Sequence, residues 1–426
     1  MYLKKKPIAL VAGPLCVIID KGLISVVHFL VGLLVLRATS KDEYGIYVNL
    51  FSLLMLGVGF QNALVTTPMA ILAPRKTPRE ATFLKQAFWG QWIYWVPLLL
   101  VLLMTIGFIQ TRISPLHTTV STQVAVLLTL AMFFIHEFGR NYWFIRNKSA
   151  ATLRQDILYG SILGIGMLLL VFLQPVNMAR NAFLAMALAA GVSGTLTIVA
   201  LHAKAASDHT PTSFHTIAHT TSEMFVDGKW AFGGVIITWL QNTSYAWLLT
   251  LLAGPAETAD VNAARQLLMP IALLTAAYPS FFRPRWARFH YMGERHRIDR
   301  ESRLTLVLIL VSITLASIAI RVAHVSIIPI LFGHRYMNAI RYLPLIAIIM
   351  GLTVWATNSS IKLQVMSQFR QITQYNAITC ILTIGSACML VRTHAAYGSL
   401  AALIVGQGAF AILLWLQLRR HATCKS

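Results

Sequence analysis

The chain is 426 residues long, with a formal net charge of +21, 57% hydrophobic residues and only 12% charged ones. So few charges exclude a soluble domain of this size. The basic excess could point to nucleic acid, but the Lys and Arg residues alternate by side between long apolar runs and form no single stripe, so no nucleic-acid partner is expected.

A helix that crosses a bilayer needs about 20 mostly apolar residues. Runs of that length fill the chain, over 15–37, 45–72, 86–109, 120–138, 155–174, 182–201, 231–253, 262–282, 304–331, 339–361, 373–391 and 396–418. They predict an all-α polytopic membrane protein of about twelve transmembrane helices. Two pseudo-symmetric six-helix lobes would enclose a central cleft: an N-lobe over 1–201 and a C-lobe over 230–426. Between them, 202–229 reads as a polar cytoplasmic linker carrying His202, His209, His215 and His219. On this topology 25 of the 35 Lys and Arg fall on one side, and Arg37, Lys41, Arg112, Arg180, Arg321, Arg335, Arg341 and Arg392 fall on the other. Positive loops stay cytoplasmic, so both termini are expected inside and the crossings are even in number. The basic loops, above all 283–303 with its seven Arg, then lie against anionic phospholipids. Lys4 to Lys6 and the apolar run after them look like a signal sequence. No A-x-A-like site follows, so this segment reads as an uncleaved first anchor. Cys16, Cys380, Cys388 and Cys424 give no disulfide framework.

The first outer turn is the clearest local signal. Arg37 suits the C-terminal end of span one, and Asp42 and Glu43 suit the N-terminal end of span two. Gly45 permits close helix contact, and Tyr47 is expected at the membrane interface. A weak echo follows in the second half: SKDEYGIYVNL at 40–50 and GPAETADVNAA at 254–264 each carry a Glu (Glu43, Glu257) with a small residue two places on. The helix after each holds a Pro and ends at a Pro-Arg step, Pro74-Arg75 and Pro284-Arg285. Paired opening hairpins of two repeats would read this way.

Polar residues inside spans are the candidates for function. Asp20 and Lys21 interrupt span one, where Lys21, Ser25, His28 and Gly32 share one face; Lys21 could equally snorkel to the headgroups. Span two holds Gln61 and Asn62, span seven holds Gln241 and Asn242, and span eight opens with Asn262, Arg265 and Gln266. Amides in a membrane either bond neighbouring helices or line a wet cavity. These lie in the first two spans of each lobe, so the set is expected to face a cleft that is cationic through Lys21 and Arg265 and contains no buried carboxylate beyond Asp20. Such a cleft attracts an anionic substrate, whereas a cation antiporter would need intramembrane Asp or Glu. Pro14, Pro68, Pro270 and Pro344 are expected to bend their spans. There is no G-x-x-x-x-G-K-[ST] run and no H-E-x-x-H, so neither cofactor nor metal is expected, and His215 and His219 read as solvated linker.

Several segments together resemble the polysaccharide-transport (O-antigen and exopolysaccharide flippase) branch of the multidrug/oligosaccharidyl-lipid/polysaccharide exporter superfamily. They are DKGLISVVHFLVGLLVLRATSKDEYGIYVNL at 20–50, QNALVTTPMAILAPRK at 61–76, FGRNYWFIRNKSAATLRQDILY at 138–159, GKWAFGGVIITWLQ at 228–241, AARQLLMPIALL at 263–274 and LFGHRYMNAIRYLPLIA at 331–347. The resemblance implies a transporter, not an enzyme, that moves an undecaprenyl-diphosphate-linked oligosaccharide across the bacterial inner membrane, alone or beside polymerase and export machinery. It implies a cationic cleft, for which Lys21 and Arg265 are the matching positions. His28 departs from it, standing where the family tends to have Asn. The substrate-binding set is then Lys21, His28, Gln61, Asn62, Gln241, Asn242, Arg265 and Gln266. The alternatives are a glycan polymerase, ligase or acyltransferase, which would want a larger outer loop, and a drug or metabolite antiporter of the same superfamily.

Overall fold

The computed structural model describes the backbone of residues 7–76, 79–112, 120–146, 148–173, 177–205 and 213–423; within these, the side chains at 7–18, 21, 100–112, 204–205, 274, 276, 277, 280, 284 and 421–423 lie outside the description. Among the described residues the fold is wholly helical. In chain order come α1 (Pro7–Ala38), α2 (Lys41–Gln61), a π-helical turn (Asn62–Thr66), α3 (Thr67–Leu72), a 3-10 turn (Ala73–Lys76), α4 (Glu80–Arg112), α5 (Val120–Ile145), α6 (Ser149–Leu173), α7 (Met178–Ala205) and α8 (Phe214–Ala253). Then follow α9 (Pro255–Leu267), α10 (Met269–Tyr291), α11 (Arg295–Val322), α12 (His324–Phe332), a 3-10 stretch (His334–Tyr342), α13 (Leu343–Val365) and α14 (Phe369–Thr423).

Among the described residues the expected spans fall largely on helix, but 262–282 is broken at Leu268 between α9 and α10, and 304–331 at Ala323 between α11 and α12. Among the described residues seven helical stretches are long and apolar enough to cross a bilayer, and one of them, in α14, covers the last two expected spans. These are separated only by a break at Ala395, whose φ of 45° no helix accommodates. Exposed aliphatic stripes, such as Leu304, Val307, Leu308, Val311 and Leu315 on α11, invert the pattern of a soluble bundle and suit a lipid-facing surface. Two of the expected bends are instead helix starts. Pro270 and Pro344 occupy the first turns of α10 and α13, where the missing N–H has no partner to lose. Pro68 opens α3 directly after the π-helical turn, and the Pro14 side chain lies outside the described residues.

The chain divides into two compact units, residues 1–39 with 50–236, and residues 40–49 with 237–426. In the first, Leu64, Val65, Met69, Phe83, Leu84, Phe88, Phe138, Tyr142 and Met224 form a shared core. The segment expected as a linker is partly structural here. From Phe214 onward it is the opening of the 40-residue α8, with Met224 fully buried and Glu223 paired to Lys76 at 2.8 Å. His209 lies outside the described residues.

In the second unit the two echoing segments pack on each other. Gly45 of α2 meets the Pro255 carbonyl so closely that a Cβ would overlap it. Lys41 pairs with Asp260 at 2.7 Å, and Asn49 donates to the Thr250 hydroxyl at 2.5 Å. Tyr47 is buried at 4% exposure and stacked on Tyr44. The basic segment 283–303 is a helical hairpin, not a loop: α10 runs to Tyr291, Gly293 turns the chain at φ 78°, and α11 begins at Arg295.

Candidate functional site

The second unit holds a cavity of about 180 Å³ lined at its polar side by Asn242, Arg265, Thr275, Thr353 and Gln407, and elsewhere by aliphatic residues of α13 and α14. Asn242 comes from mid-α8 and Arg265 from the last turn of α9. The Asn242 amide donates to the Thr238 carbonyl at 2.8 Å, and its carbonyl accepts from Gln407 at 3.0 Å. Arg265 donates to the Tyr245 hydroxyl and lies 5.4 Å from that ring's centroid. An aromatic face and one hydroxyl orient the guanidinium without neutralising it. Among the described residues no carboxylate lines the cavity, so its chemistry favours an oxyanion.

The other expected residues do not gather there. Gln241 is buried and donates to Thr379 at 3.0 Å, which ties α8 to α14. Gln266 bonds the Tyr44 hydroxyl. Gln61 donates to both the Gln91 carbonyl oxygen (2.9 Å) and the Phe134 backbone carbonyl (2.7 Å), joining three helices of the first unit. Asn62, one residue on, is exposed and accepts from Thr66 across the π-helical turn at 2.6 Å. His28 packs among Phe51, Phe133 and Tyr159, with Nε2 3.1 Å from the Tyr159 hydroxyl. The Lys21 side chain lies outside the described residues.

Outside that cavity, Asp20 is not the only buried carboxylate. Asp20 of α1 and Asp156 of α6 are both buried, and both reach Arg140 of α5, at 2.9 and 2.8 Å. Glu137, one turn earlier on α5, takes a third edge of the same guanidinium at 2.9 Å. Around this hub, His136 Nε2 stands 3.3 Å from Asp156 and Nδ1 2.9 Å from Ser193. Gln155 donates to the His136 carbonyl at 2.9 Å and accepts from Thr197 at 3.0 Å. Arg140 lies within α5, which continues past it to Ile145. The signal was present in NYWFI after Arg140, an aromatic run that extends the helix beyond its purely apolar part. Among the described residues no group of three or more His, Cys, Asp or Glu side chains is placed to hold a metal.

No protein-family model and no curated protein sequence matches the chain. Solved structures do. The inward closed form of the lipid II flippase MurJ superposes with a TM-score of 0.72 at 10% identity, covering 96% of this chain and 87% of that one. The inward-facing form of a multidrug resistance MATE family transporter gives 0.67 at 12% identity, covering 94% and 95%. A MOP superfamily transporter from Pyrococcus furiosus, with a binding pocket described as reversed in polarity, gives 0.62 at 12%, covering 97% and 95%. The chain therefore has the all-helical, membrane-spanning fold of the MOP superfamily transporters.

Proposed function

We propose that this chain is a flippase that carries an undecaprenyl-diphosphate-linked oligosaccharide across the bacterial inner membrane by alternating access, in O-antigen or exopolysaccharide biosynthesis. The observation that carries this reading is the acid-free cavity around Arg265, Asn242 and Gln407. A diphosphate needs cationic and amide donors with no competing carboxylate, and aliphatic walls tolerate a lipid-linked guest. A solved structure of the same fold is that of a lipid II flippase, which supports a lipid-linked substrate. Lys21 is the second cation of the proposed cleft, with both termini cytoplasmic. Anionic phospholipids are partners of the basic loops, and polymerase or export machinery is a partner in the pathway.

The test is export of surface glycan in cells carrying Arg265→Gln or Lys21→Gln, with insertion checked by membrane fractionation. Losing one charge-assisted hydrogen bond of about 1.5 kcal/mol should lower export about tenfold in Arg265→Gln. Undiminished export by inserted protein removes Arg265 from the mechanism, and the same holds for Lys21. A deletion strain should accumulate the lipid-linked unit on the inner leaflet. Accumulation of single units on the outer leaflet would point to a polymerase instead.

A second reading, a drug or metabolite antiporter, is favoured by the hub around Arg140. Three carboxylates share one guanidinium, so the ionised cluster carries excess negative charge that a proton or cation would balance. Drug sensitivity of a deletion strain, unaccompanied by any glycan defect, would favour it.

A further inference from the structure

The second unit carries a concavity of about 470 Å³ lined by Arg321, His324, Ile340, Arg341, Pro344 and Tyr397. It shares no lining residue with the Arg265 cavity and lies toward the opposite end of α11 from the basic hairpin. From Arg295, where α11 leaves the hairpin, to Arg321 near its other end is roughly 39 Å of helix, about the full thickness of a bilayer with its headgroups. By the distribution of charge, Arg321 and Arg341 are among the few arginines on the side from which positive charge is otherwise depleted. Two arginines brought together on that side call for a counter-charge.

None is supplied by the lining. No Asp or Glu borders the concavity, and among the described residues neither guanidinium has a carboxylate partner, unlike Lys41, Arg285, Arg297 and Lys362 of the same unit. The two guanidinium groups and the Tyr397 phenol can donate into the space. Two guanidinium forks each offer five N–H bonds, and the phenol of Tyr397 is held in place by an edge contact with Tyr342 at 5.1 Å. His324 is anchored through Nδ1 on the Arg321 carbonyl at 2.6 Å. A planar fork pair of this kind matches phosphate oxygens better than a halide or a single carboxylate.

The surroundings narrow the ligand further. Ile318 lies one turn from Arg321 on α11, Val322 and Val325 flank Arg321 and His324, and Ile348 lies one turn from Pro344 on α13. All four are at least half exposed, Val322 at 79%. An arginine-rich pocket without a carboxylate among its described lining, edged by exposed aliphatic side chains near the end of α11, suits a phosphate that carries acyl chains. We propose that Arg321, Arg341, His324 and Tyr397 form a binding site for the phosphate of an anionic phospholipid in the leaflet opposite the basic hairpin. The site is independent of how the Arg265 cavity is used.

The test uses the full chain in phosphatidylcholine nanodiscs, with retained lipid measured by native mass spectrometry after adding phosphatidylglycerol, glycerol phosphate or a polyprenyl diphosphate. Wild type should retain phosphatidylglycerol, and Arg321→Gln/Arg341→Gln should lose that retention by about tenfold or more, since each fork supplies charge-assisted bonds. Arg321→Lys/Arg341→Lys should keep most of it, and Arg392→Gln, exposed but outside the concavity, should keep all of it. Equal retention of phosphatidylglycerol by wild type and the double Gln variant overturns the site. Retention of polyprenyl diphosphate alone, lost in the double variant, overturns the phospholipid assignment and gives the pocket to a transported lipid. Glycerol phosphate binding as tightly as phosphatidylglycerol overturns the role of the aliphatic edge.

Discussion

Arg140 holds side chains from three positions on three helices, and all of its partners are carboxylates. Removing one member of such a buried set leaves charges that nothing compensates, which typically costs about 3–5 kcal/mol. Arg140→Gln should therefore melt well below wild type in detergent, and adding Asp20→Asn and Asp156→Asn should restore part of the loss. An unshifted melting curve for Arg140→Gln would show that the cluster contributes little. Gly45 is the other single position on which packing turns. A Leu there would have to displace the Pro255 backbone, and overpacking of this kind costs about 1–3 kcal/mol. If Gly45→Leu is as stable as wild type, α2 and α9 do not approach as described. At this scale the sequence marked Gly45 as a point of close helix contact, whereas the amides were expected to face a cleft, and Gln61 and Gln241 bond neighbouring helices. It could not reveal which charges meet: Asp20 and Arg140 are 120 positions apart, and single charges at the ends of apolar runs look alike whether they face headgroups or each other.

Helix α8 shows what patterning can and cannot reveal about an element. Its apolar half, 231–253, stands out by length and hydropathy alone, but its first turns over 214–230 are rich in His, Thr and Ser and lack that signal. They are helical because one face packs on α4 and on the π-helical turn. At Gly228 an added Cβ would lie 2.6 Å from the Ala63 carbonyl oxygen and 3.1 Å from Leu64 Cα. Gly228→Leu should push the two elements apart and open amides 62–66 to hydrogen exchange, while the rest of α8 stays protected; unchanged exchange over 62–66 would contradict the contact. The π-helical turn itself was not legible. It widens the helix by one residue just ahead of Pro68, a local accommodation that hydropathy does not encode. Pro270 and Pro344 were visible as helix punctuation, but whether a proline bends a helix or begins one depends on the N–H partners around it.

For the whole molecule, the apolar runs and their order were readable because lipid demands length and composition from every crossing, whereas a soluble core tolerates many patterns. The sidedness of the charges yields a direct expectation. A fluorescent protein fused after Arg420 should fluoresce, and alkaline phosphatase at the same point should be inactive; fusions in the 3-10 stretch His334–Tyr342 should behave oppositely. Reversal of either pair would invert the topology. The hub around Arg140 also bears on how the protein is made. A lone Asp or Arg costs roughly 2.5–3.5 kcal/mol at the centre of a helix that enters lipid by itself, and less toward its ends; α1 brings Asp20 to the cluster from its middle, and α5 and α6 bring Arg140 and Asp156 from nearer their ends. The first helix emerges from the ribosome more than a hundred residues before its counter-charge. The insertion machinery must then shelter α1 until α5 and α6 arrive, so membrane integration of this unit is expected to be a late, joint event and not a helix-by-helix release.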